Sequence, residues 1–121
     1  MDNALVDKTI SFAVRIVKCC QFLRDEQREM IMSKQLLRCG TSIGANVHEC
    51  LQAQSRADFV SKLGIALKEA SETSYWLTIL HKTDYLSDVV YQSLKYDTDE
   101  IIRIIISSIK TAKKNLEYEN K

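Results

Sequence analysis

The chain has 121 residues, 45% of them hydrophobic and 27% charged, with three glycines and no proline. That length gives one domain able to bury a real core, and so little Gly and Pro excludes an all-β fold, whose turns depend on them. Basic side chains number 17 against 16 acidic, a formal charge of +1. Composition therefore carries no polyanion signal, and nucleic-acid binding would need basic residues sorted onto one face or multiplied by assembly.

The opening MDNALVDKTI has early acids and no apolar run, unlike a secretion signal, so a cytoplasmic protein is expected. Apolar residues then recur at Val6, Ile10, Ala13, Val17 and Cys20, with a second row at Phe12, Ile16, Cys19 and Leu23. Two adjacent rows predict a helix over 3–24 with a broad core face, capped by Asp2 or Asn3. The run RDEQRE (24–29) is polar on all sides and reads as the first turn.

A second helix is predicted over 29–52, with the row Met32, Leu36, Cys39, Ile43, Asn46 and Cys50. Beside it lie Leu37, Gly40, Gly44, Val47 and Leu51, so the glycines continue a helical row instead of interrupting it. Their spacing matches neither G-x-x-x-x-G-K-[ST] nor G-x-G-x-x-G, which phosphate and dinucleotide loops require. Without side chains they let another helix approach closely. Asn46 stands in the core row, and Ser42, Asn46 and Glu49 form a polar strip expected to bind the third helix.

Ser55-Arg56-Ala57-Asp58 has the form of a capping box and announces a helix over 56–82. Its core row is Phe59, Leu63, Ala66, Ala70, Thr73, Leu77 and Leu80, flanked by Ile65, Glu69, Glu72, Trp76 and Ile79. Glu69 and Glu72 are expected to take hydrogen bonds or salt bridges from Asn46 or from basic residues of the second helix. Thr83 to Leu86 reads as a turn, and Ser87 caps a fourth helix over 88–117. There Leu94, Thr98, Ile101, Ile105, Ser108 and Ala112 form one row, with Ile102, Ile106, Ile109 and Leu116 beside it. The isoleucines cover more than one face, which predicts a second surface buried against another subunit. The fold expected is all-α, an antiparallel up-down-up-down four-helix bundle in one domain, 1–121, with no stretch long enough to span a membrane.

Chemistry is sparse. Cys19, Cys20, Cys39 and Cys50 form no C-x-x-C pair and read as free buried thiols. Neither His48 nor His81 follows an acid by three or four residues, so the inward E-x-x-H ligands of metal-binding bundles are missing. No Ser or Cys stands beside an oriented base. We therefore expect no enzyme activity, no cofactor and no metal. The basic residues fall at Lys34 and Arg38, at Arg56 and Lys62, and at Lys110, Lys113 and Lys114. Each group alone is a solvated face; assembled into a ring, they could contact phosphates without reading sequence.

Within Ser33 to Leu86, the residues Gln35, Arg38, Ser42-Ile43, Ala45-Asn46 and Glu49 are followed by Ser55, Asp58-Phe59, Ala66-Leu67, Glu69, Glu72 and Trp76-Leu77. This pattern closely resembles the bacterial four-helix bundle family of 23S rRNA intervening-sequence proteins, related to the accessory protein of diversity-generating retroelements. The resemblance implies structural roles for Gly40, Ser42, Gly44, Asn46, Glu49, Asp58, Phe59, Glu69, Glu72 and Trp76. It also implies a homopentamer that contacts nucleic acid through basic surface residues, of which Arg38 alone lies inside the signature. The function expected is a non-enzymatic homo-oligomer binding RNA or DNA phosphates weakly and non-specifically. The alternative is a scaffold for an unidentified protein partner, without nucleic-acid affinity.

Overall fold

A computed structural model of the chain describes residues 3–119 as four helices, α1 (Asn3–Asp25), α2 (Met32–Glu49), α3 (Arg56–Lys82) and α4 (Asp88–Glu119). A 3₁₀ turn, Cys50–Gln52, prolongs α2, and no strand occurs among the described residues. The pairings across the seams give the directions. Ile16 packs on Gly40 and Thr9 on Gly44; Arg38 reaches Glu69 and Glu72, whereas Glu49 meets Lys62. Further round, Thr78 meets Tyr91 and His81 meets Asp88, while Lys8 and Arg15 of α1 pair with Glu100 and Asp97 of α4. In every pair one number rises as the other falls, so neighbouring helices are antiparallel and the ring closes up-down-up-down.

Each helix gives the core one stripe at helical spacing. Leu5, Phe12, Ile16 and Leu23 come from α1, Leu36 and Ile43 from α2, Leu63, Leu77 and Leu80 from α3, and Leu94, Ile101 and Ile105 from α4. Burying such side chains contributes ~1.5–3 kcal/mol each. The buried hydroxyls of Thr9, Thr73 and Thr98 donate to the carbonyls of Leu5, Glu69 and Leu94, each four residues back. They are satisfied inside their own helices, so the core needs no polar partner across a seam.

At the first corner, Arg28 adopts φ 57°, and the Glu29 N–H donates to the Leu23 carbonyl at 2.8 Å. The Glu29 side chain then turns inward, accepting from the N–H groups of Ile31 (2.9 Å), Met32 (2.9 Å) and Ser33 (2.8 Å). A residue expected on a polar, solvated turn is therefore buried as the cap of α2, which begins at Met32 and not at 29. Its charge suits the positive end of the helix. At the second corner the Ser55 hydroxyl accepts from the Asp58 N–H (3.0 Å), and the Asp58 carboxylate accepts from the Gln54 N–H (3.2 Å). This is the expected capping box, closed one residue earlier than usual. At the third, Asp84 (φ 68°) ends α3 in a Schellman motif, with Tyr85 N–H to the Leu80 carbonyl and Asp84 N–H to the His81 carbonyl. Ser87 caps α4 by accepting from the Val90 N–H at 3.3 Å. Of the two candidate caps of α1, Asp2 lies outside the described residues, and Asn3 is already the first residue of the helix.

Three packing expectations change. Only the Phe12, Ile16, Leu23 side of α1, with Leu5 and Cys20, enters the core; Ile10 and Val17 of the other row face outward. The α4 isoleucines are largely absorbed within the subunit: Ile101 and Ile105 are central, and Ile102, Ile104 and Ile109 pack on the core's edge. Finally, Asn46 is half-buried and donates to the Ser42 carbonyl, while the Ser42 hydroxyl donates to the Arg38 carbonyl. Both amide and hydroxyl are spent within α2, so in the polar strip Glu49 alone reaches α3, through Lys62.

Candidate functional site

The basic residues singled out in the sequence separate in space. Lys34 and Arg38 lie in the first two turns of α2, near one end of the bundle. Arg38 straddles α3: its Nη1 donates to Glu69 at 3.2 Å and its Nη2 to Glu72. The expectation that a basic residue of α2 satisfies this carboxylate pair holds, and it turns Arg38 into a seam residue with its charge already matched. Lys62 is likewise within 3.4 Å of Glu49. Such partly exposed pairs fix register more than they add stability.

The antiparallel register brings the start of α3 alongside the last turns of α4. Arg56 is thereby gathered with Lys110, Lys113 and Lys114 at the other end of the bundle, and all three lysines are exposed. Between these elements runs an open cleft of about 640 Å³. Leu51, Ala53, Phe59 and Ala112 give it an apolar floor; Gln54, Ser55, Ser107, Ser108, Thr111 and Asn115 give it polar walls. Nothing in the sequence marks the α4 hydroxyls as a wall, since they face the corner only once α3 and α4 are in register.

A second surface lies between α1 and α2. Ile10 (52% exposed), Val14 (49%) and Val17 (38%) form an outward stripe. It runs beside Ala13, Thr41, Gly44 and Ala45 to make a shallow apolar groove, with Lys18 and Glu49 at its margins. Val14 was the missing member: at Ile10, Val14, Val17 the spacing is four then three, a row of its own on the side away from Phe12.

The thiols offer no reactive site. Burial pushes Cys19 and Cys39 up to about 11 and Cys20 to about 12, and raises Cys50 as well, away from the thiolate needed for chemistry near neutral pH. Among the described residues no cluster of three or more His, Cys, Asp or Glu could hold a metal. His48 is exposed on α2, while His81 stacks on Tyr91 with centroids 4.1 Å apart and pairs with Asp88 at 2.5 Å. No helix among the described residues is long and apolar enough to cross a membrane.

The profile of the 23S rRNA-intervening sequence protein family matches residues 1–107. Among solved structures, the chain is similar to a protein of unknown function from the S23 ribosomal protein family of Bacteroides thetaiotaomicron. The two are 57% identical with a TM-score of 0.89, over 90% of this chain and 97% of that one. No curated protein matches.

Proposed function

The chain belongs to the 23S rRNA-intervening sequence protein family, and on that premise we propose a non-enzymatic, self-assembling bundle that binds RNA or DNA phosphates weakly and without sequence preference. The observation that carries the reading is the apolar groove of Ile10, Val14 and Val17 beside Gly44 and Ala45. Single exposed apolar residues are ordinary, but a continuous stripe across two helices is the mark of an interaction surface. Self-association through it forms a homo-oligomer, a pentamer in the reading the family resemblance suggests, in the cytoplasm. A near-neutral subunit gains phosphate affinity by this route, because closed symmetry repeats the Arg56, Lys110, Lys113, Lys114 end around one axis.

Light scattering tests the assembly. The wild type is expected at a multiple of the subunit mass and Val14→Lys at the subunit mass with an unchanged helical spectrum; a wild type that stays monomeric at high concentration overturns it. Labelled RNA at two salt concentrations tests the second half, where affinity should fall steeply with salt. A protein-interaction scaffold without nucleic-acid affinity is the competing reading, favoured by the carboxylates that already occupy Arg38 and Lys62. Absence of binding even at low salt decides for it.

A further inference from the structure

We propose that the cleft between the α2–α3 corner and the last turns of α4 seats one unpaired nucleotide of a single-stranded nucleic acid. The inference rests on the phosphate binding proposed above and narrows it to one place and one form of the ligand. Three features of the cleft converge.

The first is its polar wall. Several threonine hydroxyls are consumed by their own helices: Thr41, Thr78, Thr83 and Thr98 each donate to the carbonyl four residues back. Ser107, Ser108, Thr111 and Asn115 make no side-chain hydrogen bond among the described residues. They stand as a row of open donors and acceptors, the equipment that sugar hydroxyls and base edges require.

The second is the floor. Phe59, Leu51, Ala53 and Ala112 present an apolar strip, with Leu51 48% exposed. A cavity of about 640 Å³ falls in the range of small-ligand sites. The third is the rim. Residues 107–116 carry three lysines and no acid. Lys110 and Lys114, one turn apart, flank the Ser107–Thr111 edge, and Arg56 stands across from them at the start of α3. The nearby Asp58 carboxylate accepts from the Gln54 N–H. None of the three lysines lines the cleft itself, so a strand whose backbone runs along its rim engages them where a lone nucleotide would leave them unused. A duplex cannot enter, because its bases are paired and stacked. Most of the α4 wall lies beyond residue 107, the last that the family profile matches.

The test is fluorescence anisotropy with a short fluorescein-labelled single-stranded RNA and with the same strand annealed to its complement. Thr111→Tyr, which fills the cleft from an exposed position, is expected to weaken single-strand binding about tenfold and to leave duplex binding unchanged. Ser107→Ala with Asn115→Ala, too small a change to disturb folding, should cost the single strand about fivefold. Lys110→Glu with Lys114→Glu should weaken both ligands. If the cleft variants leave the single strand unaffected, or weaken both ligands equally, the cleft is overturned while phosphate binding stands. If the wild type binds neither ligand at low salt, the phosphate reading falls with it.

Discussion

Two of the seams in this bundle are made of different materials. Between α1 and α2, Gly40 and Gly44 bring the helices so close that a Cβ on Gly40 would lie 2.8 Å from Ile16 Cγ2, and one on Gly44 3.3 Å from the Thr9 carbonyl oxygen. No ion pair crosses there among the described residues; the Cys20 thiol, donating to the Ser33 carbonyl at 3.3 Å, is the polar contact. Between α2 and α3 the helices keep their side chains, and Arg38, Glu69, Glu72, Glu49 and Lys62 line the outside. The first seam is limited by size and the second by charge. Close packing tolerates no added atom, whereas a half-exposed ion pair can be replaced by water at little cost.

The sharpest way to break this contrast is to add a side chain to the tight seam. Gly40→Leu is expected to lower unfolding free energy by about 3 kcal/mol in urea titration, because Ile16 has no room to yield. Should it unfold like the wild type, the size-limited seam is wrong. Removing the buried cap comes next: Glu29→Ala frees three N–H groups at the start of α2 and should cost ~1–2 kcal/mol by the same titration. Gly64, where an added Cβ meets nothing within 4 Å, supplies the counter-case. Gly64→Ala should stabilise by ~0.5–1 kcal/mol through helix propensity alone, and a loss there would mean that glycine in this chain is not read by its contacts. Arg38→Ala, in the charged seam, should move the urea midpoint less than any of these; a larger loss than Gly40→Leu gives would reverse the comparison.

Titration probes the buried interior in another way. Burial lets the folded chain hold the protons of Cys19, Cys20 and Cys39 up to about 11 to 12, against 9.0 for an ordinary thiol. The unfolded chain releases them first, so rising pH favours unfolding. Stability should be level up to about pH 9 and fall between pH 9 and 12, and Cys20→Ala with Cys39→Ala should flatten that fall. A slope unchanged by the double variant would assign the alkaline loss to other groups.

Much of the architecture was legible along the chain. The four amphipathic segments, the α3 and α4 core rows, the capping serines Ser55 and Ser87, and the glycine pair as a place of close approach all follow from spacing. These are local properties, fixed by bonds that reach three or four residues. What spacing could not give was rotation. Two neighbouring rows on α1 were equally apolar, and a period of 3.6 residues tells where a side chain sits around its own axis, not which way that axis turns in the bundle. Packing against α2 and α4 chose Leu5, Phe12, Ile16 and Leu23 for the core and left Ile10, Val14 and Val17 outside.

The same division holds for charge and for the candidate sites. Sequence determined how many basic residues there are and that they fall into three groups. Tertiary structure decided that Arg38 and Lys62 face carboxylates, and that Arg56 shares one end of the bundle with Lys110, Lys113 and Lys114. It also decided that Glu29, in the most polar run of the chain, would be buried, because three unpaired N–H groups at the start of α2 satisfy a carboxylate better than water-facing neighbours do. Composition and periodicity set the elements; partners from distant parts of the chain set which face of each element is core, seam or open surface.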